Sequence, residues 1–480
     1  MTASFKTRAS AVMAICAGLA MRLYFILKFP MNNASDSATY IELAQNWLEH
    51  GIYGLTIQGR IVPVDVRPPG YPAFLVAASV MFGRSHLGIL LAQAIVDLAT
   101  CGVVALLAAR IASVAGRKRA ALAGLWIAAL CPFVANYTTG ILTEVLATFF
   151  TALALLVLAE GFETQPTASA ELDQPPWLES VQSPWFLGGL VVGFGTLVRP
   201  ETPLLLAAAG LVLLARWWRP RNWTRLARAG ILMFVGMILP LLPWAARNWR
   251  SVGEIQFLAP RYTELPGEFA PRGFYSWTNT WLWRFRDVYL VPWKLDDEEI
   301  SMDDIPAYAF DSDAERDRVA AILDEYNDSL TISPQEDAQF AEIARERTAT
   351  HPLRTILTVP FKRVFSLWFT PRIELLPFSG QLWPIRAAWR EDPVDFSVTV
   401  GFGALAIVLA AAGIAGAWRA RSSPVMPFLV AFCLVRTIFF LHYETPEPRY
   451  VLECFPAVIA LAAQLFSPRD RFTAAGNRAG

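Results

Sequence analysis

Several charged residues are placed where their chemistry would count. Asp36 precedes a helical apolar face formed by Tyr40, Ile41, Leu43, Ala44, Trp47 and Leu48. A carboxylate there either caps the helix or accepts the proton of an acceptor hydroxyl. Arg67-Pro68-Pro69-Gly70-Tyr71-Pro72 follows. The prolines bias residue 67 toward extended backbone, and a fixed arginine can grip a phosphate through its planar fork. Thr143-Glu144 opens an apolar run, and Arg199-Pro200-Glu201 sits between two short apolar arms. Acids and arginines at such depth are costly unless they face a partner or a water-filled cavity. Arg247-Asn248 ends a further run after Pro243-Trp244, and Glu447-Pro448-Arg449-Tyr450 begins the last one. Carboxylates and arginines lining one cavity suit the transfer of a sugar from a lipid phosphate to a hydroxyl. The base would be a carboxylate, and the arginines would meet the departing phosphate.

The elements that must position these groups are membrane spans. The 480 residues are 55% hydrophobic and 17% charged, with a mean hydropathy of +0.38. Soluble domains are about 25% charged, so composition argues against a soluble enzyme, a disordered chain and a nucleic-acid binder. A span needs about 20 mostly apolar residues. That rule gives about ten spans: 9–29, 87–109, 120–137, 141–160, 184–198, 202–215, 229–246, 396–417, 424–442 and 451–467. The fold class is therefore an all-α polytopic bundle with amphipathic helices in the first outer loop and a long outer insert.

Basic residues fix the expected orientation. Lys6 and Arg8, then Arg110, Arg117, Lys118 and Arg119 fall on one side. So do Arg216, Arg219, Arg221, Arg225, Arg228, Arg419, Arg421, Arg469 and Arg471. Both termini are expected in the cytoplasm, with 30–86 and 248–395 outside. Only 161–183, with Glu163, Glu171, Asp173 and Glu179, departs from this pattern. Gly70–Gly83 is too short to span and Pro352–Thr370 is interrupted by Arg354, Lys362 and Arg363, so both are expected to lie on the outer leaflet.

The expected division is 1–247 as an N-terminal transmembrane core including the first outer loop 30–86, then 248–395 as an extracytoplasmic loop, then 396–480 as C-terminal spans and cytoplasmic tail. Net charge is +0, but residues 294–350 carry −12 and the rest +12. Residues 296–350 are therefore expected to be a soluble helical insert, with Glu336–Thr348 its clearest helix. Trp277, Trp281, Trp283 and Trp293 suggest a membrane-level aromatic belt. Arg22, Asp97 and Arg436, within spans, are read as paired or snorkelling residues. Cys16, Cys101, Cys131, Cys433 and Cys454 sit in apolar stretches, without a CxxC or a Cys/His metal spacing. No disulfide, metal site or cofactor is expected from them, and a divalent-metal requirement stays open.

At these motifs the chain resembles the membrane-embedded GT-C glycosyltransferases, most closely the family 39 group of protein O-mannosyltransferases and lipid A aminoarabinose transferases. The resemblance runs through Asp36-Ser37-Ala38-Thr39-Tyr40-Ile41-Glu42-Leu43-Ala44, the Arg67 to Pro72 motif and Thr143-Glu144. It continues through Leu197-Val198-Arg199-Pro200, Pro243-Trp244-Ala245-Ala246-Arg247-Asn248 and Glu447-Pro448-Arg449-Tyr450. It implies Asp36 as catalytic base, Arg67 on the donor phosphate and Glu144 lining the site. Arg199, Arg247 and Arg449 are further phosphate candidates; Tyr40, Tyr71, Glu201 and Tyr450 are cavity candidates. Many members have Asp-Glu where this chain has Asp36-Ser37, and some have Arg where it has Thr39.

The resemblance further implies an inverting hexosyl or pentosyl transferase acting on a polyprenyl-phosphate sugar donor. The acceptor would be a lipid, glycan or protein, in contact with membrane lipids, at the outer face of a bacterial inner membrane. A transporter or lipid-linked sugar flippase is the alternative; it should show paired repeats or broken helices, and the sequence shows neither.

Overall fold

The computed structural model describes residues 3–30, 35–163, 180–218, 221–260 and 269–468. Glu171, Asp173, Glu179, Arg219, Arg469 and Arg471, which entered the charge pattern, lie outside the described residues. The chain is an all-α polytopic membrane protein. Long runs of Leu, Ala, Val and Gly leave the backbone no water to bond to, so it satisfies itself as helix.

Among the described residues, six helices are long and apolar enough to cross a membrane: Lys6–Lys28, His86–Ile111, Glu144–Glu163, Trp223–Ser251, Pro393–Arg419 and Pro448–Phe466. The pair Arg117–Ala129 and Pro132–Thr139 passes the same test only when taken together, and it is bent by 47° at a break that ends in Pro132. The other three expected positions hold shorter apolar helices: Pro184–Thr196, Leu204–Trp217 and Met426–Leu441.

One apolar core joins these helices from end to end. Ala14, Val104, Leu155, Val192, Leu205, Phe428, Val451 and Leu461 all belong to it. The closest helix packing, Pro184–Thr196 against Trp223–Ser251, depends on glycine. A Cβ on Gly236 would lie 2.3 Å from the Phe186 carbonyl oxygen. Deep in this bundle Arg22 meets Asp97 at 2.6 Å, so that intramembrane pair is internally neutralised.

The loop after the first span builds a platform. It comprises helix Ser35–His50, a β-hairpin and helix Gly70–Phe82. The hairpin, which the sequence reading did not anticipate, pairs Gly54–Ile57 with Arg60–Pro63, Ile57 facing Arg60. Its turn places both Gln58 and Gly59 at positive φ, the geometry that a two-residue hairpin of this hand requires.

The segment between the spans Trp223–Ser251 and Pro393–Arg419 folds around its own core of Phe274, Trp277, Trp281, Val288, Ile300, Leu323, Tyr326, Phe340 and Ile343. Helices Asp313–Ser329 and Pro334–Thr350 carry its acidic surface. The second of these is started by a reciprocal capping box between Ser333 and Glu336.

The tryptophan belt therefore needs correcting. Trp277 and Trp281 are fully buried in this core, because their apolar area serves the segment rather than a lipid interface. Trp283 instead lies beneath Arg284 and Lys362, and Trp293 packs on Phe285 and Tyr289.

The stretch 354–369 exposes Ile356, Leu357, Phe361, Phe365 and Phe369 along its length while burying Arg363. This amphipathic division suits a helix lying on a membrane surface. Arg363 bonds the carbonyls of Leu282, Leu441 and Tyr443 at 2.8–3.0 Å. It thereby ties this segment to the turn that carries Glu447 and Arg449.

Candidate active site

Five separate stretches bring charged side chains to one cavity of 490 Å³. Its charged lining, with three tyrosines, includes Asp36 and Tyr40 from helix Ser35–His50, Arg67, Glu144, Arg199 with Glu201, and Arg449 with Tyr450 and Tyr443. Eight of the ten residues singled out in the sequence thus share one space.

Local structure explains the convergence. Asp36 lies in the first turn of Ser35–His50, and Glu144 in the first turn of Glu144–Glu163. An acid at a helix N-terminus is favoured by the orphan N–H groups and the dipole. Arg67 is brought to Arg199, in the turn between helices Pro184–Thr196 and Leu204–Trp217, by a backbone contact: Gly70 N–H donates to the Leu197 carbonyl at 2.7 Å. A Cβ on Gly70 would lie 2.6 Å from that oxygen, so this approach is open to glycine alone.

The charges form one connected array. Arg67 Nη2 donates to Asp36 Oδ1 at 2.8 Å, and Arg449 Nη1 stands 3.5 Å from Asp36 Oδ2. Arg449 also pairs with Glu447 and reaches Glu144 at 3.7 Å. Arg199 lies 3.4 Å from Glu144, 3.4 Å from Glu201 and 3.5 Å from Glu453. Arg436 then bonds Glu453 at 2.7 Å. The array holds five carboxylates and four guanidiniums among the described residues.

The two Asp36 oxygens face guanidiniums, an arrangement a helix cap would not need. Burial alone would raise its carboxyl, but Arg449 and Arg67 outweigh that and hold it below the usual carboxylate range. Asp36 is thus ionised at neutral pH. Burial pushes the neighbouring Tyr40 hydroxyl up to about 12, so it is neutral and can donate a hydrogen bond.

Two residues fall elsewhere. Tyr71 is fully buried; its hydroxyl donates to Gln93 Oε1 at 2.6 Å and its ring packs edge-on to Tyr40 at 5.0 Å. It backs the cavity wall rather than lining it. Arg247 lines a second, largely apolar cavity of 410 Å³ with Trp47, Tyr53, Pro240 and Trp244. Its guanidinium bonds the carbonyls of Tyr53 and Val64 and stacks on Tyr53 and Trp244. Arg247 therefore fastens the hairpin to its helix, its Nη groups committed to the Tyr53 and Val64 carbonyls and to Asn248 Oδ1.

Sequence reading missed Glu453, buried at 1% side-chain exposure in the last span. A carboxylate inside an apolar run signals a buried cation, and Arg436 is that cation. Among the described residues no group of three or more His, Cys, Asp or Glu side chains converges as a metal site.

Part of the chain is similar to a known family. Residues 66–244 match the family model described as dolichyl-phosphate-mannose-protein mannosyltransferase. No curated protein matches the chain. Among solved structures, the Archaeoglobus fulgidus oligosaccharyltransferase AglB, in complex with an inhibitory peptide and a dolichol-phosphate, is 14% identical with a TM-score of 0.48. The match covers 96% of this chain and 50% of that one. ArnT from Cupriavidus metallidurans, bound to undecaprenyl phosphate, is 15% identical with a TM-score of 0.40, covering 97% of this chain and 78% of that one. The chain spans about half the length of the oligosaccharyltransferase. The match over 66–244 takes in Arg67, Glu144 and Arg199, and over those residues the chain is similar to that mannosyltransferase family.

Proposed function

We propose that the chain moves a sugar from a polyprenyl-phosphate donor to an acceptor hydroxyl, with inversion, at the extracytoplasmic face. The observation that carries this reading is the Asp36 carboxylate set between Arg67 and Arg449 in the 490 Å³ cavity. A single displacement needs one base and one cationic site for the leaving group, and both are adjacent here.

Asp36 takes the proton of the acceptor hydroxyl as its oxygen bonds the anomeric carbon. The sugar–phosphate C–O bond breaks, and its electron pair leaves on the phosphate. Arg67, Arg449 and Arg199 stabilise that charge in a partly desolvated site. Glu144 positions Arg199 and Arg449. The family description supports a lipid-phosphate donor, and a donor anchored at membrane depth converts part of the search into positioning. Arg247 and Tyr71 act as supports.

The basic side of the spans would face the cytoplasm in a bacterial inner membrane, with both termini there. On this reading 1–247, 248–395 and 396–480 serve as core, outer segment and closing spans. The acceptor is a lipid, glycan or protein hydroxyl. Purified protein offered a panel of polyprenyl-phosphate sugars and nucleotide sugars tests the donor class. Release of sugar from the lipid donors alone is expected; turnover with nucleotide sugars alone would overturn the proposal.

A further inference from the structure

The two guanidiniums nearest the proposed base are also those best placed for the donor phosphate. Arg67 Nη2 is given to Asp36 Oδ1 at 2.8 Å, and Arg449 Nη1 faces Asp36 Oδ2 at 3.5 Å. Arg67 Nε is buried and has no hydrogen-bond partner. A bidentate grip on a phosphate uses two N–H groups of one fork. Arg67 has Nε available for it, while its Nη2 is held by Asp36.

The charged and titratable groups around Asp36 come from every element packed there. They are Arg67 from the loop after the β-hairpin, Arg449 with Glu447, Tyr443 and Tyr450 from the turn leading into the last span, Arg199 and Glu201 from the turn between Pro184–Thr196 and Leu204–Trp217, Glu144 from its span and Tyr40 on the same helix. Glu144 Oε2 also accepts no hydrogen bond. Without substrate the arginines are thus neutralised by the protein itself.

We propose that the donor phosphate binds by displacing Asp36 from Arg67 and Arg449, so that the event that seats the donor also frees the base. This rests on the lipid-phosphate reading above. A carboxylate held by two cations has low proton affinity and is a poor general base. Once a phosphate neutralises those cations, the proton affinity of Asp36 rises and a lone pair opens toward the acceptor hydroxyl. Asp36 then takes the hydroxyl proton and releases it to water after transfer. The arginines keep the phosphate that received the electron pair. Donor binding thereby precedes acceptor activation.

The test is equilibrium binding of a short-chain polyprenyl methyl phosphate, a diester with one fixed charge, in detergent. Asp36→Asn removes the competing charge and should bind it about threefold to tenfold more tightly than the unsubstituted protein. Arg67→Ala should bind it more weakly. Equal or weaker binding by Asp36→Asn would overturn the competition, because a merely structural Asp36 predicts loss. Should that variant fail to fold, calorimetry on the unsubstituted protein in buffers of different ionisation enthalpy decides. Displacement predicts proton uptake on binding at about pH 4–5, near the ordinary carboxylate pKa; no uptake would overturn it. Binding by none of these proteins would overturn the lipid-phosphate reading, and the competition with it.

Discussion

Arg436 Nη2 donates to Glu453 Oε1 at 2.7 Å, with both side chains buried. The pair sits beneath the cavity, and Glu453 also receives Thr151 at 3.0 Å and faces Arg199. Removing one partner of a buried pair leaves an uncompensated charge, at about 3–5 kcal/mol. Glu453→Gln should therefore lower the unfolding midpoint in detergent markedly. Glu453→Leu combined with Arg436→Met should cost less than either single change. Thermal unfolding of the three variants checks this, and a double variant worse than both singles would contradict it.

Arg67 should act through the donor. Arg67→Ala should raise the donor KM about tenfold, equivalent to about 1.4 kcal/mol, with Arg67→Lys intermediate because it keeps charge but loses the fork. Donor saturation curves check the order. Arg247→Ala, by contrast, should lower stability with little selective effect on donor KM, since its donors hold the Tyr53 and Val64 carbonyls.

The pH dependence follows from the sign of the Asp36 shift. Its folded carboxyl is held below the usual range by Arg449 and Arg67 against the opposing effect of burial. A base must be ionised, so donor kcat/KM, which reports the free enzyme, should stay flat down to about pH 4. The stability contribution of Asp36 is likewise present above its unfolded pKa and lost as pH falls through the lower folded one. Arg67→Ala removes one cation, so its acid limb should move to higher pH. A limb unmoved in that variant would contradict the pairing.

Much of the site was legible because its residues recur in ordered motifs, with Asp36, Arg67, Glu144, Arg199 and Arg449 each placed where an apolar run begins or ends. Direction was not legible. Tyr71 and Arg247 lie within the same motifs, but one side chain turns behind the wall and the other into a second cavity. Glu453 was hidden by its apolar neighbours, although its cost in lipid called for a partner such as Arg436. The spans were legible from hydropathy. The hairpin was not, because Gln58-Gly59 is an uncommon turn pair and its strands are only four residues each. The tryptophans of 277–293 misled because a belt and a small soluble core draw on the same residue types.

Topology is testable by labelling. Arg225→Cys, on the basic side, should resist an impermeant thiol reagent applied to intact cells, while Asp317→Cys in the outer segment should react. Both positions are exposed. The opposite pattern would invert the orientation and place the cavity on the cytoplasmic face.

The most direct test is transfer by Asp36→Asn from a synthetic polyprenyl-phosphate sugar to acceptor in detergent. Asn keeps the size and can still cap a helix, but it cannot accept a proton as a carboxylate does. The account predicts a folded, donor-binding protein whose turnover falls by at least about a hundredfold, the scale of general-base catalysis. Near-normal turnover in Asp36→Asn would contradict it.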